Sequence, residues 1–138
     1  MSPVLLDSSV VVALLDRGER YHERCAAAVQ GLESPLVTCE AVVAESCYLL
    51  RRLPPAVDAI LENVARGVFQ IPFQLSRTAA EVVPIMRKYR DVPADLADAC
   101  LIYVAGQLGV GKILTLDHDF ENYRWGRGKP FHFLISLD

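Results

Sequence analysis

DVPADLADACLIYVA, residues 91–105, is apolar enough from Leu96 onward to form a buried helix, yet Asp95 and Asp98 stand in it one helical turn apart. Residues three apart share a helix face, so Asp98 falls on or beside the stripe of Leu101, Ile102 and Ala105. An isolated carboxylate in that setting costs several kcal/mol or takes up a proton. Two readings are open. Asp95, shortly after Pro93, is suited to cap the helix, and Asp98 in the first turn is favoured by the helix dipole. Alternatively, the two acids serve a site.

Working outward, other acids interrupt apolar runs in the same way. Val4-Leu5-Leu6 reads as a short buried parallel strand ending in Asp7-Ser8-Ser9, with a helix starting over Val10–Leu15. That places Asp7 at a strand's carboxyl end, where open α/β sheets put their ligands, although an N-cap accounts for it equally well. Lys112 to Leu116 is a second clear strand, and it too ends in acid, Asp117-His118-Asp119. Pro35–Thr38 predicts a strand and Cys39–Arg52 a helix, with Glu45 set among Ala41, Val42, Val43, Ala44, Cys47, Leu49 and Leu50. Capping does not explain a mid-helix Glu45. A buried partner such as Arg51 or Arg52 does, and so does metal ligation or acid–base work.

The remaining segments complete an alternating pattern. Pro54 starts a helix running to Gly67, Phe69–Phe73 reads as a strand weakened by Pro72, Ser76–Tyr89 as an amphipathic helix, and Phe131–Ile135 as a last edge strand. Arg17, Arg20 and Arg24, at spacings of three and four, predict guanidinium groups along one helical face, either solvated or tracking phosphates. His22 reads as exposed. Arg124, Arg127 and Lys129 around Trp125 form a small basic patch with an aromatic, a pattern compatible with nucleic-acid contact.

Composition bounds these readings. The 138 residues, 52% of them hydrophobic, suffice for one domain with a full core. A net charge of −3 argues against a strongly basic nucleic-acid binder. With four of the 17 acidic residues set aside as ion ligands, however, the remainder nearly balances the 14 basic ones, which permits an RNA or DNA partner. The four cysteines make no CxxC pair or zinc spacing, Cys47 and Cys100 read as small hydrophobes, and the natural compartment is the cytoplasm. The Val10–Leu15 run is far too short to cross a bilayer, so no membrane association is expected.

If the strands before Asp7 and Asp117 are adjacent and parallel, their carboxyl ends open onto one side of the sheet, with Glu45 and Asp98 arriving from helices. Such a carboxylate cluster, with His118 as its only cationic neighbour in these segments, calls for hard divalent cations, Mg²⁺ or Mn²⁺. A site of that kind polarises a phosphodiester and activates a bound water. No HExxH, Walker loop, GxSxG or GxGxxG motif competes. A phosphatase of the haloacid-dehalogenase type would need a second Asp where this chain has Ser9.

Taken in order, VLLDSS, AVVAES, DLADACLIYVA and ILTLDHDF resemble the motifs of a PIN domain, and most of all those of VapC-type toxin ribonucleases from bacterial toxin–antitoxin pairs. The resemblance spans nearly the whole chain. It implies an α/β fold over residues 1–138, a three-layer α/β/α sandwich around a mostly parallel sheet. It also implies a Mg²⁺- or Mn²⁺-dependent endoribonuclease that leaves a 5′-phosphate, with RNA as substrate, an antitoxin protein as partner and a homodimer as assembly. The family's acids carry over to Asp7, Glu45, Asp98 and Asp117. Asp7, Asp98 and Asp117 would hold metal, and Glu45 would hold metal or orient water. The accompanying hydroxyl corresponds to Thr115 or Ser9, and Asp95 and Asp119 would support the ligands from behind. A non-catalytic PIN-like regulatory or protein-binding module is the alternative from another functional class.

Overall fold

Val4–Leu6 forms a strand (β1) whose three residues are all buried. Since successive side chains on a strand point to opposite faces, complete burial means that both faces of the sheet are covered. The computed structural model describes residues 1–92 and 94–137. After β1 come helices α1 (Ser8–Leu15) and α2 (His22–Gln30), strand β2 (Leu36–Val37), helices α3 (Glu40–Leu49) and α4 (Pro54–Ala65), and strand β3 (Phe69–Gln70). Helices α5 (Leu75–Lys88) and α6 (Leu96–Leu108) and strand β4 (Lys112–Leu114) follow, then a 3₁₀ turn over His118–Glu121, the short strands β5 (Arg124–Trp125) and β6 (Lys129–Pro130), and β7 (His132–Phe133).

The main sheet has the order β3-β2-β1-β4-β7 and every pairing in it is parallel. The only antiparallel pairing among the described residues is the separate β5–β6 hairpin. Helices on both sides complete the three-layer α/β/α arrangement expected from the sequence. The chain moves outward from β1 through β2 to β3, then returns to the other side of β1 to lay down β4 and β7. The order therefore reverses between β1 and β4, the switch point beyond whose strand ends open α/β sheets place their ligands.

The core explains why α6 resists an amphipathic reading. Eight of its residues from Ala97 to Ala105 are buried, because α6 packs against both α3 and α5. It stops at Gly109, whose φ of 66° is a left-handed conformation that glycine adopts without a Cβ penalty.

Several expectations shift. Residues 17–21 are turns and α2 begins only at His22, so Arg17, Arg20 and Arg24 do not lie along one helix. Arg20 and Arg24 instead gather over the Tyr21 ring, 5.2 and 5.8 Å from its centroid. His22 is half-buried rather than exposed, and its Nδ1 bonds to the Ala13 carbonyl at 2.7 Å. The strands expected over Phe69–Phe73 and Phe131–Ile135 shorten to two residues each, the first before Pro72, where a ladder donor is missing. Trp125 is engaged within its hairpin: its Nε1 donates to the Pro130 carbonyl, Lys129 lies over its ring, and the ring packs so closely on Gly111 that a Cβ there would come within 2.5 Å of it.

Candidate active site

Asp7 is the first residue beyond β1 and caps α1: its Oδ1 accepts the Ser8 amide at 2.8 Å. The other oxygen, Oδ2, accepts the Thr115 hydroxyl at 2.6 Å and the Ser9 hydroxyl at 3.2 Å. Thr115 directly follows β4, the parallel neighbour of β1, so adjacent strand ends bring the two side chains together. Both hydroxyls also accept backbone amides, Ser9 that of Leu116 and Thr115 that of Asp117. Each is thereby oriented to donate toward Asp7. Burial pushes the Asp7 carboxyl up to about 6, against the opposing effect of the Thr115 and Ser8 hydrogen bonds.

Asp98 lies in the first turn of α6, capped by Asp95, whose Oδ1 accepts the Asp98 amide at 2.9 Å. Pro93, which suggested that cap in the sequence, lies outside the described residues. Asp98 is only 7% exposed, and burial together with the Asp95 charge raises its carboxyl to about 7. The charges acting most strongly on it, Asp95, Asp7 and Asp117, are all negative. One bond opposes them: the buried Tyr123 hydroxyl donates to Asp98 Oδ2 at 3.0 Å.

Glu45 extends from the middle of α3 and is half-buried. No arginine neutralises it from the next turn. Arg51 and Arg52 are exposed, and Arg51 lies 4.1 Å from the centroid of the Tyr48 ring while donating to the Tyr48 carbonyl. The partner of Glu45 Oε1 is the Ser8 hydroxyl, at 2.5 Å. Burial raises the Glu45 carboxyl, and the nearby Asp95 and Asp117 charges raise it further, against the opposing Ser8 hydrogen bond. Asp117 caps the 3₁₀ turn, with its Oδ1 accepting the Asp119 amide at 2.9 Å. It is near enough to raise Asp7, Glu45 and Asp98.

Thus Asp7, Glu45, Asp95, Asp98 and Asp117 act on one another from four separate segments, Asp95 and Asp98 sharing the start of α6, with Ser9 and Thr115 bonded to Asp7. Asp119 meets the group through its backbone amide; its side chain is exposed. Capping and site membership coexist: Asp7, Asp95 and Asp117 each use Oδ1 for a backbone amide while their charge still acts on the neighbouring acids. Two participants escaped the sequence reading. Ser8 adjoins Asp7 and carried the same signal as Ser9, whereas Tyr123 gave none, lying 25 residues from the acid it holds. Among the described residues, no three His, Cys, Asp or Glu side chains are gathered closely enough to enclose an ion. Their oxygen-only chemistry and mutual repulsion nevertheless fit a hard divalent cation.

Comparison with known proteins agrees with this architecture. The PIN domain model matches residues 4–126. Ribonuclease VapC36 of Mycobacterium tuberculosis is 31% identical over 122 residues, covering 85% of this chain and 87% of that protein. Ribonuclease VapC26 of the same organism is 28% identical over 116 residues, covering 83% of this chain and 86% of that one. The crystal structure of M. tuberculosis VapC20, a sarcin–ricin loop cleaving toxin, superposes with a TM-score of 0.78 at 17% identity, covering 86% of this chain and 93% of that one, and so shares its fold. With a parallel sheet that places its acids at the switch point, and a family match extending from β1 through β5, the chain belongs to the PIN domain family.

Proposed function

We propose that this protein is a divalent-metal-dependent endoribonuclease that hydrolyses RNA phosphodiester bonds, and that it is the toxin of a toxin–antitoxin pair. The observation carrying this reading is the convergence of Asp7, Glu45, Asp98 and Asp117 on the β1–β4 switch point, where the strongest charges on Asp98 are all negative. Asp7, Asp98 and Asp117 would hold Mg²⁺ or Mn²⁺, which when bound supplies Lewis-acid polarisation of the phosphodiester and a more acidic water. Ser9 and Thr115 keep Asp7 Oδ2 oriented, and Tyr123 does the same for Asp98 Oδ2. Glu45, held by the Ser8 hydroxyl and with its carboxyl raised by burial, would orient the attacking water or, as the carboxylate, take its proton. Attack of that water on phosphorus with expulsion of the 3′-oxygen would leave a 5′-phosphate, as the resemblance to VapC-type ribonucleases implies.

Similarity to the VapC ribonucleases supports RNA as the substrate, and the fold shared with the VapC20 toxin supports the toxin assignment. The partner in this reading is an antitoxin protein, and the assembly a homodimer. Tyr48, Leu49, Leu53 and Leu61, exposed on and between α3 and α4, offer apolar surface for protein contact. Among the described residues, no helix is long and apolar enough to cross a membrane.

The test is incubation with single-stranded and structured RNAs in Mg²⁺, Mn²⁺ or chelator. Cleavage with either ion, none in chelator, and its abolition in Asp7→Asn, Glu45→Gln, Asp98→Asn and Asp117→Asn are expected. Near-full activity of one variant at saturating metal removes that residue from the site. Absence of cleavage under every condition favours a non-catalytic binding module.

A further inference from the structure

Beside the acids lies a pocket of about 130 Å³ that the reaction as described does not use. It is lined by Tyr21, Arg24, Leu116, His118, Ser136 and Leu137. Leu116 and His118 are the two chain neighbours of Asp117, so the pocket adjoins the candidate site along the segment that carries one of its acids. Tyr21 is half-buried at the start of α2, with the guanidinium groups of Arg20 and Arg24 within 6 Å of its ring centroid. His118 is bound through Nδ1 to Glu121 Oε1 at 2.6 Å, which fixes its ring at the pocket wall.

We propose that this pocket is a subsite for one nucleotide of a single-stranded RNA, next to the bond that is cut; the inference rests on the ribonuclease reading. Five acids alone repel a phosphate backbone, so a substrate strand needs positive charge close to where it meets them. Arg24 lines the pocket and Arg20 lies over the ring of its neighbour Tyr21, so positive charge gathers at the pocket next to the segment that carries Asp117. Tyr21, with the Arg20 and Arg24 guanidinium groups over its ring, and Leu116 supply the flat and apolar surface for an unpaired base, and His118 and Ser136 supply polar groups for its edge. An aromatic ring combined with arginines is how single-stranded nucleic acid is bound, because every base has a π-face and every linkage a charge. A lining that mixes Tyr21, Leu116 and Leu137 with Arg24, His118 and Ser136 matches the apolar faces and polar edge of a base.

The experiment is steady-state cleavage, in Mn²⁺, of short single-stranded RNAs that differ only at the nucleotides flanking the cleavage position. It uses wild type, Tyr21→Phe, Tyr21→Leu, Arg20→Gln and Arg24→Gln. Tyr21→Phe keeps the ring and should stay within about threefold of wild type, while Tyr21→Leu should raise KM about tenfold to a hundredfold and flatten the nucleotide preference, with kcat little changed. The two arginine variants should raise KM and reduce its dependence on salt. They also carry the test if Tyr21→Leu loses its fold by circular dichroism. Unchanged KM and unchanged nucleotide preference in the folded variants overturn the subsite and leave the pocket to a protein partner. If the wild-type arm cleaves no RNA, the ribonuclease reading fails first and the subsite falls with it.

Discussion

The Tyr123 hydroxyl donates to Asp98 Oδ2 at 3.0 Å, joining the segment just after the 3₁₀ turn to the first turn of α6. Tyr123 is fully buried and meets Phe120 and Tyr89 edge-on, so its hydroxyl is placed by packing. The bond favours the charged form of Asp98, opposing burial and the neighbouring acids. Tyr123→Phe removes that opposition and raises the Asp98 carboxyl further. The acid limb of the kcat/KM profile should then move to higher pH, with activity at neutral pH falling about tenfold. An unmoved acid limb in a folded variant would show that Asp98 does not need this bond.

Thr115 and Ser9 both donate to Asp7 Oδ2, and Thr115 is the closer, at 2.6 Å. Thr115→Val keeps the shape and removes the hydroxyl, so Mn²⁺-dependent cleavage should fall about ten- to a hundredfold, and Ser9→Ala should cost less. The kinetics of both variants at several Mn²⁺ concentrations check this. The loss should appear mainly as weaker metal activation, and equal losses in the two variants would contradict the ranking.

Asp95 acts as a cap and as a negative charge, and two substitutions separate those roles. Asparagine caps as well as aspartate does, so Asp95→Asn should keep thermal stability while lowering activity moderately. Asp95→Ala loses the bond to the Asp98 amide and should cost about 1 kcal/mol of stability. Thermal unfolding and cleavage rates measured side by side distinguish them. Complete inactivity of a folded Asp95→Asn would make Asp95 a direct metal ligand.

Crowded acids also make metal-free stability depend on pH. Asp7 and Asp98 have folded-state values of about 6 and about 7, raised mainly by burial from 3.8. Below about pH 4 both are protonated whether folded or not, and no penalty exists. As pH rises, the unfolded chain ionises first, so the penalty grows and is complete above the folded-state values, at about 3 kcal/mol for Asp7 alone. In chelator, these groups should therefore lower the melting temperature between about pH 4 and 7, and Mg²⁺ should restore it by binding only the folded state. Metal-free Asp98→Asn should melt at or above wild type and gain less from Mg²⁺. A variant that melts well below wild type in chelator would make Asp98 a structural cap.

Much of this arrangement was legible because burial and charge conflict visibly in one dimension. Val4-Leu5-Leu6 before Asp7, and the apolar run that holds Asp98, state both the element and the anomaly. Glu45 was legible as an acid without a cap, although its partner was not: the sequence suggested Arg51 or Arg52, and the structure supplies the Ser8 hydroxyl. Tyr123 was invisible, since a buried tyrosine in a loop announces neither its depth nor its partner. The spacing of Arg17, Arg20 and Arg24 misled because three-and-four periodicity matters only inside a helix, and α2 begins at His22. Strand ends were overextended at Phe69–Phe73 and Phe131–Ile135, where apolar residues serve the core without joining the ladder.

Every role proposed for the site depends on the acids at the β1–β4 switch point binding a divalent cation. Mn²⁺ titration followed by electron paramagnetic resonance tests that binding, since bound ion is lost from the free-ion signal. At pH 8, wild type should deplete that signal, and Asp98→Asn, with an unchanged circular dichroism spectrum, should bind at least about tenfold more weakly. A wild-type protein that leaves the free Mn²⁺ signal intact, or two titrations that superimpose, would contradict the assignment of these acids to a metal site.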